Sequence, residues 1–134
     1  RDFMGRSLED EAQVEMFLWT VDAIFRETMR LGCPRLNCED VEKEKMKVWG
    51  MLRERMPLLE KFEKIKNGYY MGYFTICDFF VYELLAYLSL FFECVPSKCV
   101  RLKEVANKVA TMERIVAYEH SDRVIKCRLP KESW

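Results

Sequence analysis

The stretch FTICDFFVYELLAYLSLFF, residues 74–92, decides the fold of this chain. Thr75 is followed three residues later by Asp78, which is the spacing of a capping box with Asp in place of the usual Glu. Phe74 and Phe79 occupy the two positions of a hydrophobic staple around this box. The pattern therefore predicts a helix that begins directly after Thr75.

Residues 79–92 are almost entirely apolar, although they include Glu83. A bilayer-spanning helix needs about 20 apolar residues, so this shorter segment fits a buried core helix better. We predict a helix over residues 76–92 at the centre of the fold. Its cap, Thr75 and Asp78, would then be buried and structural, without a chemical role.

Apolar periodicity and stop signals predict four further helices. Ser7 is a plausible N-cap for the first, Pro57 should kink or split the second, and Asn67-Gly68 should end it. Thr111 could cap the last helix. The predicted ranges are 8–31, 38–66, 98–110 and 112–122. The expected fold is an all-α bundle of five to six helices in a single domain, residues 1–134.

Charge is balanced, with 22 Lys and Arg residues against 22 Asp and Glu residues. The two signs are interspersed, as in residues 42–45 and 53–55, which is typical of solvated helix faces. The sequence therefore predicts neither nucleic-acid binding nor membrane insertion.

The six cysteines predict free thiols, because Cys77 and Cys94 lie inside apolar helical sequence. The spacing of Cys33 and Cys38 fits no metal motif, and His120 is the only histidine. Free thiols indicate a reducing compartment, so we expect a cytoplasmic protein. The sequence has no secretory signal and does not begin with Met, and we expect it to be a piece of a longer chain.

Residues 16–25, MFLWTVDAIF, are apolar on most of the helix circumference. Such a helix either lies at the centre of the bundle or turns one side toward another domain, a subunit or a ligand. One side carries Met16, Trp19 and Ala23, and another carries Phe17, Val21, Ile24 and Phe25.

Four segments together resemble cytosolic glutathione transferases. Residues 68–79, GYYMGYFTICDF, are similar to the "G-x-Y-F-x-G-x-x-x-T-x-A-D-F" region, whose Thr and Asp form the buried N-capping box of the central C-terminal-domain helix. Residues 58–62, LLEKF, resemble "P-x-L-E-x-F", and residues 115–123 resemble "I-x-x-Y-x-x-S-x-R". Residues 7–15 resemble the linker and the opening of the family's fourth helix. The departures are Cys77, where Ala is usual, and Thr111-Met112, where a Pro is often found.

The resemblance implies the all-helical C-terminal domain, without the thioredoxin-like N-terminal domain that binds glutathione and activates its thiol. This domain would supply one wall of the pocket for an apolar electrophile, together with contacts of a homodimer. Candidate pocket residues are Leu18, Val21 and Phe25, spaced i, i+3 and i+7 on the first helix, and Trp19 and the C-terminal Trp134 are further candidates. The alternative is that this apolar stripe is plain core.

Glu15 matches an Asp that, in mu, sigma and alpha members, reaches across the dimer to bound glutathione, the co-substrate. The alternative is a solvent-exposed Glu without that role.

Three functions remain open from the sequence. The first is the C-terminal part of a glutathione transferase active in detoxification, inactive as the isolated 134-residue chain. The second is a non-catalytic interaction or scaffold module that binds a protein partner through apolar surface on the first helix. The third is an unrelated helical bundle.

Overall fold

Five α-helices build the part of the chain that the computed structural model describes, residues 2–32, 38–93 and 99–123. They are α1 (Leu8–Met29), α2 (Cys38–Glu60), α3 (Ile76–Leu88), α4 (Val100–Ala110) and α5 (Glu113–Glu119), with a single 3₁₀ turn at Arg30–Gly32. These residues contain no β-strand, which agrees with the predicted all-α fold. None of the described helices is long and apolar enough to cross a bilayer.

Helix α1 begins where the sequence predicts. The Ser7 side chain accepts a hydrogen bond from the Asp10 backbone N–H at 3.1 Å, so it caps one of the free donors of the first turn. Buried side chains then recur every three or four residues, which directs one stripe of the helix into the core. They are Val14, Phe17, Val21, Ile24 and Thr28.

Helix α3 packs against α4 and α1. Its core-facing residues, Val81, Leu84 and Leu88, are at most 2% exposed. Helix α4 contributes a matching stripe that includes Leu102, Val105 and Val109.

The second helix is shorter than predicted. It runs unbroken through Pro57 and ends at Glu60, so Pro57 lies in the last turn and does not split the helix. Asn67 and Gly68 form a separate tight turn with φ of 57° and 76°, and Lys66 and Tyr69 exchange two backbone hydrogen bonds across it. Positive φ at both central residues is typical of a two-residue hairpin turn, for which Asn-Gly is favoured.

The other boundaries differ by a few residues. Helix α3 ends at Leu88, and Ser89 is its C-cap residue, with its backbone N–H donating to the Leu85 carbonyl. Residues 90–92 follow with hydrogen bonds back to Tyr87 and Leu88. Thr111 does not cap α5: its hydroxyl donates to the Lys108 carbonyl at the end of α4, and Met112 occupies the N-cap position without a side-chain bond.

Candidate functional site

An open groove of about 500 Å³ lies between α1, α3 and the segment that precedes α1. Small-molecule sites typically have volumes of about 300–1,000 Å³. Trp19 is 72% exposed, Met4 41% and Phe80 36%, so large apolar side chains in the groove are open to a ligand. The lining residues are Met4, Glu15, Leu18, Trp19, Asp22 and Phe80.

The charges in the groove are negative. Glu15 and Asp22 are the two charged residues in the lining, and they stand two helical turns apart on α1. Asp22 forms an ion pair with Arg26 at 2.8 Å, while Glu15 is exposed and forms no ion pair with a described residue. The groove therefore combines an apolar surface with one compensated and one uncompensated carboxylate.

The residues that the sequence proposes for substrate binding do not all line the groove. Leu18 lines the groove and is partly buried against the core. Val21 is fully buried in the core and does not line the groove. Phe25 is partly buried, with its ring 5.8 Å from that of Tyr87 on α3. Trp19 lies in the groove, and Trp134 lies outside the described residues.

Met4 reaches the groove because the segment before α1 is bound to the start of α3. The Ile76 backbone N–H donates to the Phe3 carbonyl at 2.9 Å, which satisfies a free donor of the α3 N-terminus. The Phe3 ring lies 5.9 Å from Phe74 and 5.8 Å from Phe79, and the last two rings lie 5.1 Å apart. Phe3, which lies outside the staple motif, therefore packs its ring against the rings of both predicted staple residues, Phe74 and Phe79.

A second set of contacts, the Tyr73 network, consists of Arg6, Asp10, Lys64 and Tyr73. The Arg6 backbone N–H donates to the Tyr73 hydroxyl at 2.9 Å, and that hydroxyl donates to Asp10 Oδ2 at 2.6 Å. Lys64 Nζ donates to Asp10 Oδ1 at 2.6 Å, and this bond, followed by that from Tyr73, lowers the pKa of Asp10. The Arg6 guanidinium lies 4.0 Å from the centroid of the Tyr73 ring. The network fixes the segment before α1 to the loop before α3.

The structure contains a capping box at Thr75 and Asp78, both of which are fully buried. Asp78 Oδ2 accepts from the Thr75 N–H at 2.8 Å, and Oδ1 accepts from the Tyr70 N–H at 2.8 Å. Burial raises the pKa of Asp78, and the Thr75 and Tyr70 N–H groups oppose that rise by stabilising the carboxylate. The second bond, to Tyr70, ties the preceding loop to the same carboxylate.

The two described free thiols, Cys77 and Cys99, are buried in the core. Burial raises the pKa of Cys77 to about 12 and that of Cys99 to about 11. Because the thiolate is the reactive form, neither group is suited to nucleophilic chemistry.

A smaller pocket of about 110 Å³ opens on another side of α1, next to the end of α2. The buried Gln13 Oε1 has no hydrogen-bond partner among the described residues. The lining is otherwise mostly apolar and consists of Gln13, Met16, Phe17, Thr20, Leu59, Phe62 and Tyr70.

Residues 33–122 match the protein family described as glutathione S-transferase, C-terminal domain. The chain belongs to that family. The match covers about two thirds of the chain and spans α2 to α5, so it includes the capping box. It excludes the third possibility from the sequence, an unrelated bundle. No curated protein shows significant similarity to the chain.

The family match begins after α1, so the groove residues on α1 lie outside it. Three groove residues were not found from the sequence as site candidates: Met4, Asp22 and Phe80. Phe80 lies within the predicted core helix and Asp22 within the apolar residues 16–25, so neither position stood out as a site candidate. No sequence pattern marks Met4 as a groove residue, because its position depends on contacts between segments that are far apart in the chain.

Proposed function

We propose that this chain is the C-terminal domain of a mu-, sigma- or alpha-like glutathione transferase. The proposal rests on the groove, which offers an apolar surface of suitable volume for a small molecule. The groove lies next to the segment before α1, through which the chain would enter the domain from the N-terminal side. It would form one wall of the pocket for an apolar electrophile. A thioredoxin-like domain outside these 134 residues would bind glutathione and lower the pKa of its thiol.

Glutathione is the proposed co-substrate, and Glu15 is the residue proposed to contact it. The Glu15 side chain is exposed on α1, so its carboxylate is accessible to the ammonium group of a peptide. Conjugation of electrophiles to glutathione in the cytoplasm would serve detoxification.

The proposed assembly is a homodimer with contacts on α1. Met16 supports it, because this large apolar side chain is 69% exposed beside the smaller pocket. A second subunit would cover this apolar surface.

The alternative is a non-catalytic scaffold module. Met16 and Trp19 are large apolar side chains that are 69% or more exposed. Exposed apolar surface marks a binding site, but it fits a protein partner as well as it fits a second subunit or a small ligand. A scaffold would use the groove for a protein partner and would have no affinity for small apolar molecules.

Calorimetric titration of the 134-residue chain with the neutral compound 2-naphthylmethanol tests the proposed function. We expect binding by the wild type and by Met46→Ser, and weaker binding by Trp19→Ser. Trp19 and Met46 are 72% and 76% exposed, so neither change should unfold the chain, but Met46 lies on α2 outside the groove. Equal affinity in both variants, or no binding at all, would contradict the proposal and favour the scaffold.

A further inference from the structure

We propose that the groove selects aromatic ring compounds over saturated ones, and that Met4 is a residue that determines this specificity. The inference rests on the proposed function and narrows its second substrate to an aromatic electrophile. Three lining side chains support it, namely Met4, Trp19 and Phe80.

The apolar part of the groove is chemically suited to an aromatic ring. Trp19 and Phe80 offer ring surfaces, and pairs of aromatic rings attract each other by more than the area they bury. Met4 offers a thioether sulfur, which is polarizable and makes favourable contacts with aromatic rings. All three side chains are at least 36% exposed, so a bound molecule can contact each of them.

The backbone on both sides of Met4 is fixed. The Phe3 carbonyl accepts a hydrogen bond from the Ile76 N–H at 2.9 Å. Gly5 has a φ of 121°, and a Cβ there would lie 2.8 Å from the Glu11 backbone nitrogen, so this glycine packs directly on the first turn of α1. Met4 is therefore held at the groove by its neighbours, while its unbranched side chain can still adjust to a ligand.

Burial of apolar area alone predicts no preference for an aromatic ligand. A saturated ring system is at least as apolar as the aromatic one with the same carbon skeleton, so it should bind at least as tightly if only area counts. Contacts between a thioether and an aromatic ring favour the aromatic compound by about two- to tenfold in affinity. A preference for the aromatic compound would therefore report these specific contacts.

Two neutral alcohols with the same carbon skeleton separate the two effects. They are 2-naphthylmethanol, which is aromatic, and decahydro-2-naphthylmethanol, which is saturated. Calorimetric titration of the 134-residue chain should give an affinity for the aromatic alcohol that is higher by at least about twofold.

The variant Met4→Leu keeps an apolar side chain of similar size but removes the sulfur. It should weaken binding of the aromatic alcohol about two- to tenfold and leave that of the saturated alcohol unchanged. The matched control is Met29→Leu, because Met29 is 60% exposed at the end of α1 and does not line the groove. It should change neither affinity, and far-ultraviolet circular dichroism would verify that both variants fold.

The possible failures are distinguishable. If the aromatic alcohol binds but the saturated one binds as tightly or more tightly, the selectivity is overturned and the proposed function remains. The same holds if Met4→Leu leaves the ratio of the two affinities unchanged, or if Met29→Leu lowers that ratio as much. If neither alcohol binds, both the inference and the proposed function are overturned.

Discussion

Tyr73 donates its hydroxyl proton to Asp10 Oδ2 at 2.6 Å, across 63 residues of sequence. The bond joins the first turn of α1 to the loop before α3, and the same hydroxyl accepts from the Arg6 backbone N–H. Since Met4 belongs to the segment held in this way, the Tyr73 network positions one side of the groove.

The Asp10 carboxylate should make stability depend on acid pH. Its bonds from Lys64 and Tyr73 keep the pKa of Asp10 below the ordinary value of 3.8 in the folded chain. Its stabilising contribution is therefore fully present above the unfolded pKa and is lost as the pH falls through the lower folded pKa. Thermal unfolding should show Asp10→Asn less stable than the wild type at pH 7, with the difference vanishing in strong acid.

Glu104→Gln is the control for this experiment, since Glu104 is an exposed acid on α4 and does not belong to the Tyr73 network. A difference between Asp10→Asn and the wild type that stays constant from pH 7 into strong acid would contradict the account.

Loss of the Asp78 side chain should destabilise the chain more than loss of an exposed cap. Asp78→Ala leaves the buried Thr75 and Tyr70 N–H groups without an acceptor, and each such donor costs about 1–3 kcal/mol. With two such donors, we expect the free energy of unfolding in urea to fall by about 2–6 kcal/mol. Ser7→Ala, at the exposed cap of α1, should cost about 0.5–1 kcal/mol. Equal losses in the two variants would show that the carboxylate is not the anchor of the α3 start.

Glu60 supplies the cap that α4 lacks locally. The N-cap residue Cys99 makes no side-chain bond, whereas the Glu60 carboxylate accepts from the Arg101 N–H at 2.6 Å and the Leu102 N–H at 3.0 Å. Glu60→Ala should lower the free energy of unfolding by about 1–2 kcal/mol. Glu63 is exposed nearby, and Glu63→Ala should have little effect. If the two variants unfold at the same urea concentration, α4 does not depend on Glu60.

Local sequence patterns predict the N-terminal caps of α1 and α3 correctly, whereas the predicted cap of α5, Thr111, is wrong. The Thr75–Asp78 spacing and the Ser7 position each specify a bond within one helical turn, and the structure contains both bonds. Apolar residues surround most of α1, so periodicity alone could not separate Val21, which is fully buried, from Leu18, which reaches the groove.

The bonds that the sequence did not predict are those between residues far apart in the chain. Glu60 caps a helix that begins 40 residues later, and Tyr73 binds a carboxylate in α1, so neither bond has a local signature. The Glu of the LLEKF segment was noticed as part of a family pattern, but its bonds to α4 became apparent only in the folded chain.

The 134-residue chain should not catalyse glutathione conjugation by itself. Its buried described thiols have raised pKa values, and the proposed thiol-activating domain lies outside these residues. With glutathione and 1-chloro-2,4-dinitrobenzene, absorbance should increase no faster than with the heat-denatured chain. Turnover well above that control would place thiol activation within this chain.

The most direct test of the central claim is the indole N–H resonance of Trp19 during titration with 2-naphthylmethanol. Trp19→Phe would identify its signal in a two-dimensional nitrogen–proton spectrum. The account predicts a saturable shift of this resonance, while that of Trp49, whose ring lies 5.3 Å from Phe92 on another side of the bundle, stays in place. A shift of Trp49 without Trp19, or no shift of either at saturating alcohol, would contradict the claim that the groove binds the second substrate.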